Sequence, residues 1–173
     1  MPAPADGELA GDGSPSPSRE TSLAAISERY DVETQLGTGA YAQVWLATHK
    51  PTGKRLAVKI VEVRKLGEKQ RQDCQREVAM LKMLSHSYVV GLEDVMETPA
   101  KLVLGLEYLR GGELFDHIDA VAGYTEATVA RLFSQVVSAV RYLHQEQSVI
   151  HRDIKPENVV FSYPPAATPA EEL

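Results

Sequence analysis

The sequence predicts an α+β fold in which a five-stranded antiparallel sheet with one main helix is followed by the beginning of a mainly helical lobe. Three observations predict it. Over residues 30–62, β-branched and aromatic residues alternate with polar ones between turn-forming residues. Apolar residues recur at helical spacing over 70–84, and a longer amphipathic pattern covers 125–145. We therefore expect a β-rich small lobe over about 30–109 and the start of an α-rich large lobe over 110–161.

The first three strands are predicted to form an antiparallel meander. Gly37 and Gly39 interrupt the alternating pattern once, and the turn Pro51-Thr52-Gly53-Lys54 interrupts it again, because glycine and proline favour turns. Two further short apolar stretches, at 91–96 and 101–107, flank a proline-containing breaker. These stretches predict a hairpin that completes the sheet.

Two helices are predicted around this hairpin. The helix over 70–84 places four apolar residues near one face: Cys74, Val78, Leu81 and Leu84. After the segment Arg110-Gly111-Gly112, which we interpret as a hinge, Thr125 is suited to cap a second helix and Glu126 to its positive end. That helix carries an apolar stripe of Val129, Leu132, Phe133, Val136, Val137, Val140 and Leu143.

Composition limits the kinds of partner. The chain has 173 residues, of which 43% are hydrophobic and 24% charged, as in a soluble globular protein. Its net charge of −6 argues against a broad nucleic-acid-binding surface, and its apolar runs are far shorter than the roughly 18 residues of a membrane span. The one cysteine, Cys74, cannot form an internal disulfide, and the N-terminus lacks the layout of a secretory signal. We therefore expect a cytoplasmic or nuclear protein that binds neither nucleic acid nor membrane.

Both ends of the chain are predicted to be disordered. Residues 1–22 are rich in Pro, Gly, Ser and acidic residues, and residues 162–173 combine prolines and alanines with an acidic end. Such compositions bury too little apolar surface to offset the entropy that is lost on ordering. The folded part is therefore expected to cover 23–161.

The first candidate site residues lie in the turn between the first two strands, from Leu36 to Val44. Backbone N–H groups beside Gly37 and Gly39 could approach phosphate oxygens closely, and Val44 could lie over an adenine ring. A hairpin tip with two glycines is also typical of an ordinary tight turn. Ala42 occupies a position at which phosphate-binding loops often have a third glycine.

A charged residue, Lys59, occupies an inward position of the otherwise apolar third strand. Burying an ammonium group costs several kcal/mol unless it is paired, so we expect a partner carboxylate. Glu77 could supply that carboxylate from the main helix, next to Cys74 and Leu81. The alternative is that Lys59 extends to the surface and Glu77 is solvated.

The most informative segment covers residues 149–161 and reads VIHRDIKPENVVF. Between apolar anchors it places Asp153, Lys155 and Asn158 at intervals of two and three residues. Such a loop can present a carboxylate that orients a hydroxyl, an ammonium that neutralises a phosphoryl oxygen and an amide oxygen for Mg²⁺. A polar turn selected only for solubility has no reason to follow this order.

Together these motifs resemble the catalytic domain of eukaryotic protein kinases over about residues 30–161. The resemblance implies that Lys59 binds the α- and β-phosphates of ATP and pairs with Glu77. It further implies that Asp153 is the catalytic base, that Lys155 lies near the γ-phosphate and that Asn158 binds magnesium. The implied nucleotide-contacting residues, besides Lys59, are Leu36, Gly37, Gly39, Val44, Ala57, Leu106, Glu107, Leu109 and Val160.

The resemblance also implies how the adenine is held. Ala57 and Val160 would enclose the ring from its two faces, and Leu106 would be the gatekeeper. Backbone groups of Glu107 and Leu109 would bind the edge of the base. These roles are expectations that follow from the family and not from the spacing of the residues.

Two finer features refine the comparison. The sequence DIKPEN over 153–158 is similar to that of serine/threonine kinases, whereas tyrosine kinases usually lack the lysine that matches Lys155. The hinge LEYLRGGELF over 106–115 is similar to the calcium/calmodulin-dependent group. In that group, carboxylates matching Glu113 and Glu157 often hold a substrate arginine, so we expect a preference for basic residues upstream of the target Ser or Thr. Alternatively, Glu113 is an exposed residue beside a helix start.

The family's second metal-binding motif, Asp-Phe-Gly, occurs nowhere in the sequence, and a proline-rich stretch follows Phe161. We therefore expect an incomplete copy of the domain that lacks the principal metal ligand. The apolar stripe of the 125–145 helix would then be poorly covered, so we expect poor solubility or a molten large lobe. Two functions stay open: phosphorylation of protein Ser or Thr with ATP and Mg²⁺, or an inactive fragment that binds nucleotide or a partner. Membership of the calmodulin-dependent group would make calmodulin a partner, but the sequence predicts no basic autoinhibitory helix.

Overall fold

Five β-strands form one antiparallel sheet in this computed structural model, which describes residues 25–120 and 124–163. The strands are β1 (Tyr30–Thr38), β2 (Ala42–His49), β3 (Lys54–Glu62), β4 (Leu92–Glu97) and β5 (Lys101–Glu107). Their order in the sheet is β1-β2-β3-β5-β4, so β3 lies at its centre. The α+β fold predicted from the sequence is confirmed. The predicted disordered tail 1–22 and residues 164–173 of the predicted disordered end lie outside the described residues.

Within the described residues, three helices accompany the strands, and the sequence predicted the two longer ones. The three helices are α1 (Glu68–Leu81), α2 (Leu114–Ala120) and α3 (Glu126–Arg141), and a π-helical turn, Tyr142–Glu146, continues α3. The N-terminus of α1 lies earlier than predicted because the Gln70 side chain accepts a hydrogen bond from the Gly67 N–H at 2.9 Å. Thr125 caps α3 as predicted, accepting from the Thr128 N–H at 3.2 Å. None of the helices in the described ranges has the length and hydrophobicity needed to cross a membrane.

Cross-strand pairs decide which side chains share a face of the sheet. Val44 on β2 pairs with Lys59 on β3, and Ala57 on β3 pairs with Leu106 on β5. Paired residues lie on the same face, and successive residues of a strand alternate between faces. Lys59 and Ala57 therefore lie on the face that also carries Val61.

Each face of the sheet has its own apolar core. On the Lys59 face, α1 contributes Val78, which is buried together with Val61, Leu66, Leu102 and Leu104. On the opposite face, residues 25–29 form a helical turn, and its Ile26 is buried against Tyr30, Ala47, Leu56, Val58 and Val103. The sheet is therefore covered on both sides, by α1 and by the segment that precedes β1.

The predicted hinge is a packed junction. Its Gly111 N–H donates to the Phe161 carbonyl at 2.8 Å, and the Phe161 N–H donates to the Gly112 carbonyl at 2.9 Å. A Cβ at position 111 would lie 2.4 Å from the Cβ of Phe161, and Gly112 has a φ of 81°, so both positions require glycine. The Leu114 N–H also donates to the Val159 carbonyl at 2.7 Å, which fixes the start of α2 against the segment after the polar loop.

Candidate active site

The β1–β2 turn carries the two glycines singled out in the sequence. The Gly39 N–H donates to the Ala42 carbonyl at 2.8 Å, which closes the turn. A Cβ at Gly37 would meet nothing within 4 Å, and one at Gly39 would meet only the Ala42 carbonyl oxygen, at 3.6 Å. Neither glycine has a positive φ. The packing of this protein therefore does not require glycine at these positions, which leaves open space beside the turn for a ligand.

An accessible apolar strip lies beside Lys59. Val44, Ala57 and Leu106 share its face of the sheet and are only half-buried, because α1 covers the neighbouring part of that face. At the end of β1, Leu36 is 45% exposed. The structure thus places four of the residues predicted to contact the nucleotide around one charged side chain or at the rim of its face.

Lys59 and Glu77 form the ion pair that the lone charge on β3 predicted. The Lys59 Nζ lies 2.7 Å from the Glu77 Oε1, and the two side chains are 29% and 42% exposed. Glu77 is placed there because Val78 is buried next to it and Cys74, one turn earlier, packs on the same core. Burial and the nearby Glu77 carboxylate raise the pKa of the Cys74 thiol.

The polar loop gathers Asp153, Lys155 and Asn158 as their spacing predicted. The Asn158 Nδ2 donates to the Asp153 Oδ2 at 2.9 Å and to the Asp153 backbone carbonyl at 2.7 Å. The Lys155 Nζ lies 3.2 Å from the same Oδ2. All three side chains are exposed, so a substrate can reach them directly.

Two neighbouring side chains act on the pKa of Asp153. The Asn158 amide, and after it the Lys155 ammonium, hold the pKa of the Asp153 carboxyl below its ordinary value. The Asp153 N–H donates to the His151 Nδ1 at 3.3 Å, and Arg152 between them has a φ of 67°. A left-handed backbone conformation is strained for arginine, and proteins retain such strain at functional sites. The loop therefore presents an ionised carboxylate on a constrained backbone.

The hinge side of the site is formed by the end of β5 and the segment after the loop. The Glu107 N–H donates to the Gly91 carbonyl at 2.9 Å, so this N–H is already paired. A cavity of about 800 Å³ is lined by Glu107, Leu109 and Val160 together with residues of α3. Its lining does not include Ala57 or the other strip residues. The structure thus brings Glu107 and Leu109 together with Val160, but around a cavity that is separate from the apolar strip.

The two carboxylates predicted to bind a basic substrate residue lie on joined segments. Glu113 forms a β-bridge with Val160, and Glu157 lies in the 3-10 turn Pro156–Asn158 just before it. Both side chains are exposed. The bridge therefore connects the segment carrying Glu113 to the loop that carries Asp153.

Sequence reasoning did not find the contacts that join the segment after α1 to the end of α3. A cavity of about 420 Å³ is bordered by Glu77 on one side and by Lys155 and Asn158 on the other. Next to it, the buried Tyr142 accepts a hydrogen bond from the Ser85 N–H at 2.9 Å through its hydroxyl. The His86 ring stacks on Tyr142 with 4.8 Å between ring centroids. The only sequence signal was a tyrosine within an apolar helical pattern.

Known proteins match this chain over the same region. The sequence profile described as protein kinase domain matches residues 30–166. Myosin light chain kinase A of Dictyostelium discoideum is 38% identical over 138 residues, which are 80% of this chain and 46% of that protein. Calcium/calmodulin-dependent protein kinase type 1B of Rattus norvegicus is 40% identical over 139 residues, 80% of this chain and 40% of that protein. Maternal embryonic leucine zipper kinase of Xenopus tropicalis is 44% identical over 131 residues, 76% of this chain and 20% of that protein. The chain spans less than half the length of these relatives.

Proposed function

Because this chain belongs to the protein kinase family, we propose that it carries the ATP-binding lobe and the catalytic loop with which a serine/threonine protein kinase phosphorylates protein substrates. One observation carries the proposal. Within a single exposed loop, the Asp153 carboxylate contacts both the Lys155 ammonium and the Asn158 amide, at 3.2 and 2.9 Å. A base, a phosphate-binding cation and an amide ligand are the groups that phosphoryl transfer needs in one place.

In the proposed reaction, Asp153 orients the substrate hydroxyl and accepts its proton while the hydroxyl oxygen bonds to the γ-phosphorus of ATP. The bond from that phosphorus to the β,γ-bridging oxygen breaks, and ADP leaves. Asp153 is ionised at neutral pH, as an ordinary aspartate is, so it can accept a hydrogen bond from the hydroxyl. Lys155 neutralises the γ-phosphoryl group, and Lys59, held by Glu77, binds the α- and β-phosphates.

Mg²⁺ suits this site if ATP supplies part of its coordination. Asn158 donates to Asp153 through its amide nitrogen, so its amide oxygen is left to bind a cation. Within the ranges that the structure describes, no group of three or more acidic, His or Cys side chains could hold a metal ion. Phosphate oxygens and water would therefore complete the coordination, as is common for Mg²⁺. When bound, the ion would neutralise charge on the phosphates.

The adenine is proposed to lie on the apolar strip. Val44 and Ala57 would cover one face of the ring, and Val160 would cover the other after the lobes close on the nucleotide. The carbonyl of Glu107 and the backbone of Leu109 would bind the base edge. What supports this placement is the half-buried strip next to the Lys59–Glu77 pair, together with the open space at Gly37.

The protein substrate is proposed to carry a basic residue upstream of its Ser or Thr. Glu113 and Glu157 are exposed carboxylates on segments joined by the Glu113–Val160 bridge, and a guanidinium can bind two carboxylates at once. Glu157 also directly precedes Asn158, which contacts Asp153. A basic side chain held there would place the following residues of an extended substrate near the base.

Transfer and nucleotide binding can be tested separately on the full chain. With Mg²⁺ and radiolabelled ATP, we expect phosphate on a serine peptide with an upstream arginine, less on the peptide with alanine instead, and at least about a hundredfold loss in Asp153→Ala. Lys59→Met should weaken binding of a fluorescent ATP analogue. Lys101→Met is the matched control, because Lys101 pairs with Glu62 at 3.3 Å on the same sheet, away from the strip.

The results of these assays distinguish a kinase from a nucleotide-binding module and test each site assignment separately. Nucleotide binding without transfer above the Asp153→Ala level would show the alternative, a nucleotide-binding module without catalysis. Equal loss of binding in Lys59→Met and Lys101→Met would contradict the assignment of the nucleotide site. Equal labelling of the arginine and alanine peptides would contradict only the proposed basic preference.

A further inference from the structure

The cavity next to the hinge has the size and the lining of a small-molecule site. Its volume of about 800 Å³ falls within the roughly 300–1,000 Å³ range of pockets that hold such ligands. Helices α2 and α3 border it, and so do residues 87–90 and 159–163. Half-buried apolar side chains line its walls: Leu109, Leu114, Leu132, Val136 and Val159. The cavity is thus mostly apolar and is built by segments that are distant in the sequence.

A buried hydroxyl borders this apolar space. The Tyr124 side-chain oxygen is shielded from solvent and has no hydrogen-bond partner among the described residues. Its place in the chain is fixed, because the next residue, Thr125, caps α3 by accepting from the Thr128 N–H at 3.2 Å. Buried tyrosine hydroxyls normally donate to a partner, since an unpaired donor loses its hydrogen bonds to water and gains none in return. The Tyr124 hydroxyl can therefore donate to a ligand in the cavity.

The charge of the lining decides which molecules suit the cavity. Glu107 is the only charged side chain among the described residues that border it, and the other polar ones are serines, tyrosines and a glutamine. An anion would therefore find no cation there and would be repelled by Glu107. Ala57 and Lys59 do not border the cavity, which differs in this from the strip proposed to bind adenine. These features favour a neutral molecule over a nucleotide.

We propose that this cavity binds a neutral, largely apolar carbonyl compound, whose carbonyl oxygen accepts a hydrogen bond from the Tyr124 hydroxyl. The carbonyl supplies the acceptor that the described residues do not provide for this donor. The apolar body of the compound lies against Leu114, Leu132 and Val136. Binding is noncovalent. The site goes beyond the proposed phosphoryl transfer and does not depend on it.

The test titrates the full chain into prodan, a neutral naphthalene ketone whose fluorescence shifts to longer wavelength when its carbonyl accepts a hydrogen bond. We expect saturable binding to the parent chain. Tyr124→Phe should weaken the binding about three- to tenfold and shift the emission of bound prodan to shorter wavelength, because one hydrogen bond is lost. Tyr88→Phe is the matched control. Tyr88 also borders the cavity but is 51% exposed, so loss of its hydroxyl should leave the affinity nearly unchanged.

A second measurement needs no ligand. Tyr124→Phe removes only a hydroxyl that makes no hydrogen bond with the described residues. Its midpoint of urea denaturation should therefore equal or exceed that of the parent chain. A lower midpoint would show that the hydroxyl already has a partner within the protein, which overturns the inference.

Two further variants locate the bound ketone. Ala57→Leu adds bulk to the apolar strip, and Val137→Gln changes the exposed face of α3, but neither residue borders the cavity. Both variants should bind prodan as the parent chain does. Weaker binding in Ala57→Leu would place the ketone on the strip, and weaker binding in Val137→Gln would show adsorption to the face of α3; either result overturns the inference. Absence of saturable binding, or an unchanged affinity in Tyr124→Phe, overturns it as well.

Discussion

The pKa of Asp153 is lowered by two neighbouring side chains of the same loop. Its Oδ2 accepts from the Asn158 amide, and the Lys155 ammonium lies within 3.2 Å of the same oxygen. Both contacts favour the carboxylate over the carboxylic acid, which is why the pKa lies below its ordinary value. The stabilisation from these contacts is present above the ordinary pKa and is lost as the pH falls through the lowered one.

Asn158→Ala should therefore raise the pKa of Asp153 towards the ordinary aspartate value of about 3.9. The Asn158 hydrogen bond is the largest cause of the lowering, and the side chain is exposed, so its removal should leave the fold intact. The measurement is a ¹³C NMR titration of the Asp153 carboxyl in the full chain. Glu157→Gln changes the adjacent exposed residue without removing a hydrogen bond to Asp153, and should shift the pKa much less. Equal shifts in the two variants would contradict this account.

Single residues were predictable where a local pattern isolates them. Lys59 is a lone charge on an apolar strand, and its partner Glu77 lies only 18 positions away on the helix that follows. The contact between Arg29 and Asp94 spans 65 positions and has no comparable signal. Position in a strand can predict that a charge needs a partner, but not which distant strand will supply it.

At the scale of secondary-structure elements, a buried polar cluster joins β4 to β1, β2 and the helical turn before β1. Asp94 accepts hydrogen bonds from Arg29 and from the Tyr30 hydroxyl, and the His49 Nε2 lies 3.6 Å from its Oδ2. The Asp94 side chain is 8% exposed. Burial, together with the hydrogen bond to Asp94, raises the pKa of Tyr30 well above its ordinary value. The cluster therefore depends on one carboxylate that satisfies several donors.

Asp94→Ala should destabilise the protein by about 2–4 kcal/mol, because it leaves the buried Tyr30 hydroxyl without its acceptor and Arg29 without its counter-ion. Glu93→Ala is the matched control. Glu93 is the preceding residue of β4, but its carboxylate pairs with Lys54 at 2.7 Å on the surface, so its loss should cost less than about 1 kcal/mol. Urea denaturation of both variants measures the difference. Similar midpoints for the two variants would show that burial of Asp94 contributes little.

Secondary-structure elements were predictable where a single hydrophobic periodicity extends over enough residues. The strands and the two long helices agree with their patterns, and Thr125 caps α3 as its type and position indicated. Helix α2 was missed because it has only 7 residues, about two turns, too few for a periodic pattern. The π-helical turn Tyr142–Glu146 was also missed, since its geometry is set by the contacts of Tyr142 with Ser85 and His86 rather than by local sequence.

At the scale of the whole molecule, two junctions connect the sheet to the helical part. The hinge pairs with the segment after the polar loop through Gly111 and Phe161, and Tyr142 holds the loop that follows α1 through Ser85. The first junction positions the residues proposed to bind adenine. The second holds the C-terminal side of α1, the helix that carries Glu77, against the end of α3. The two halves of the candidate site thus depend on contacts that no single element contains.

The same helix α3 presents apolar side chains to solvent. Val129, Phe133 and Val137 are 51%, 67% and 49% exposed and are spaced one turn apart, so they form a continuous line on the helix surface. Val129 and Phe133 also border the cavity next to the hinge, together with Leu132 on a neighbouring line. An apolar line of this kind favours association between molecules, because burying it removes apolar surface from water.

The double change Phe133→Gln and Val137→Gln should therefore reduce self-association of the chain while changing its free energy of unfolding by only about 0.5 kcal/mol, since both side chains are exposed. Sedimentation velocity over a range of protein concentrations measures the association, and urea denaturation measures the stability. Leu132→Gln is the matched control on the same helix: Leu132 is half-buried, so a polar group there should destabilise the fold without removing the exposed line. If the double variant associates as strongly as the parent chain, α3 is not the surface responsible. If it unfolds as readily as Leu132→Gln, these side chains are packed in solution.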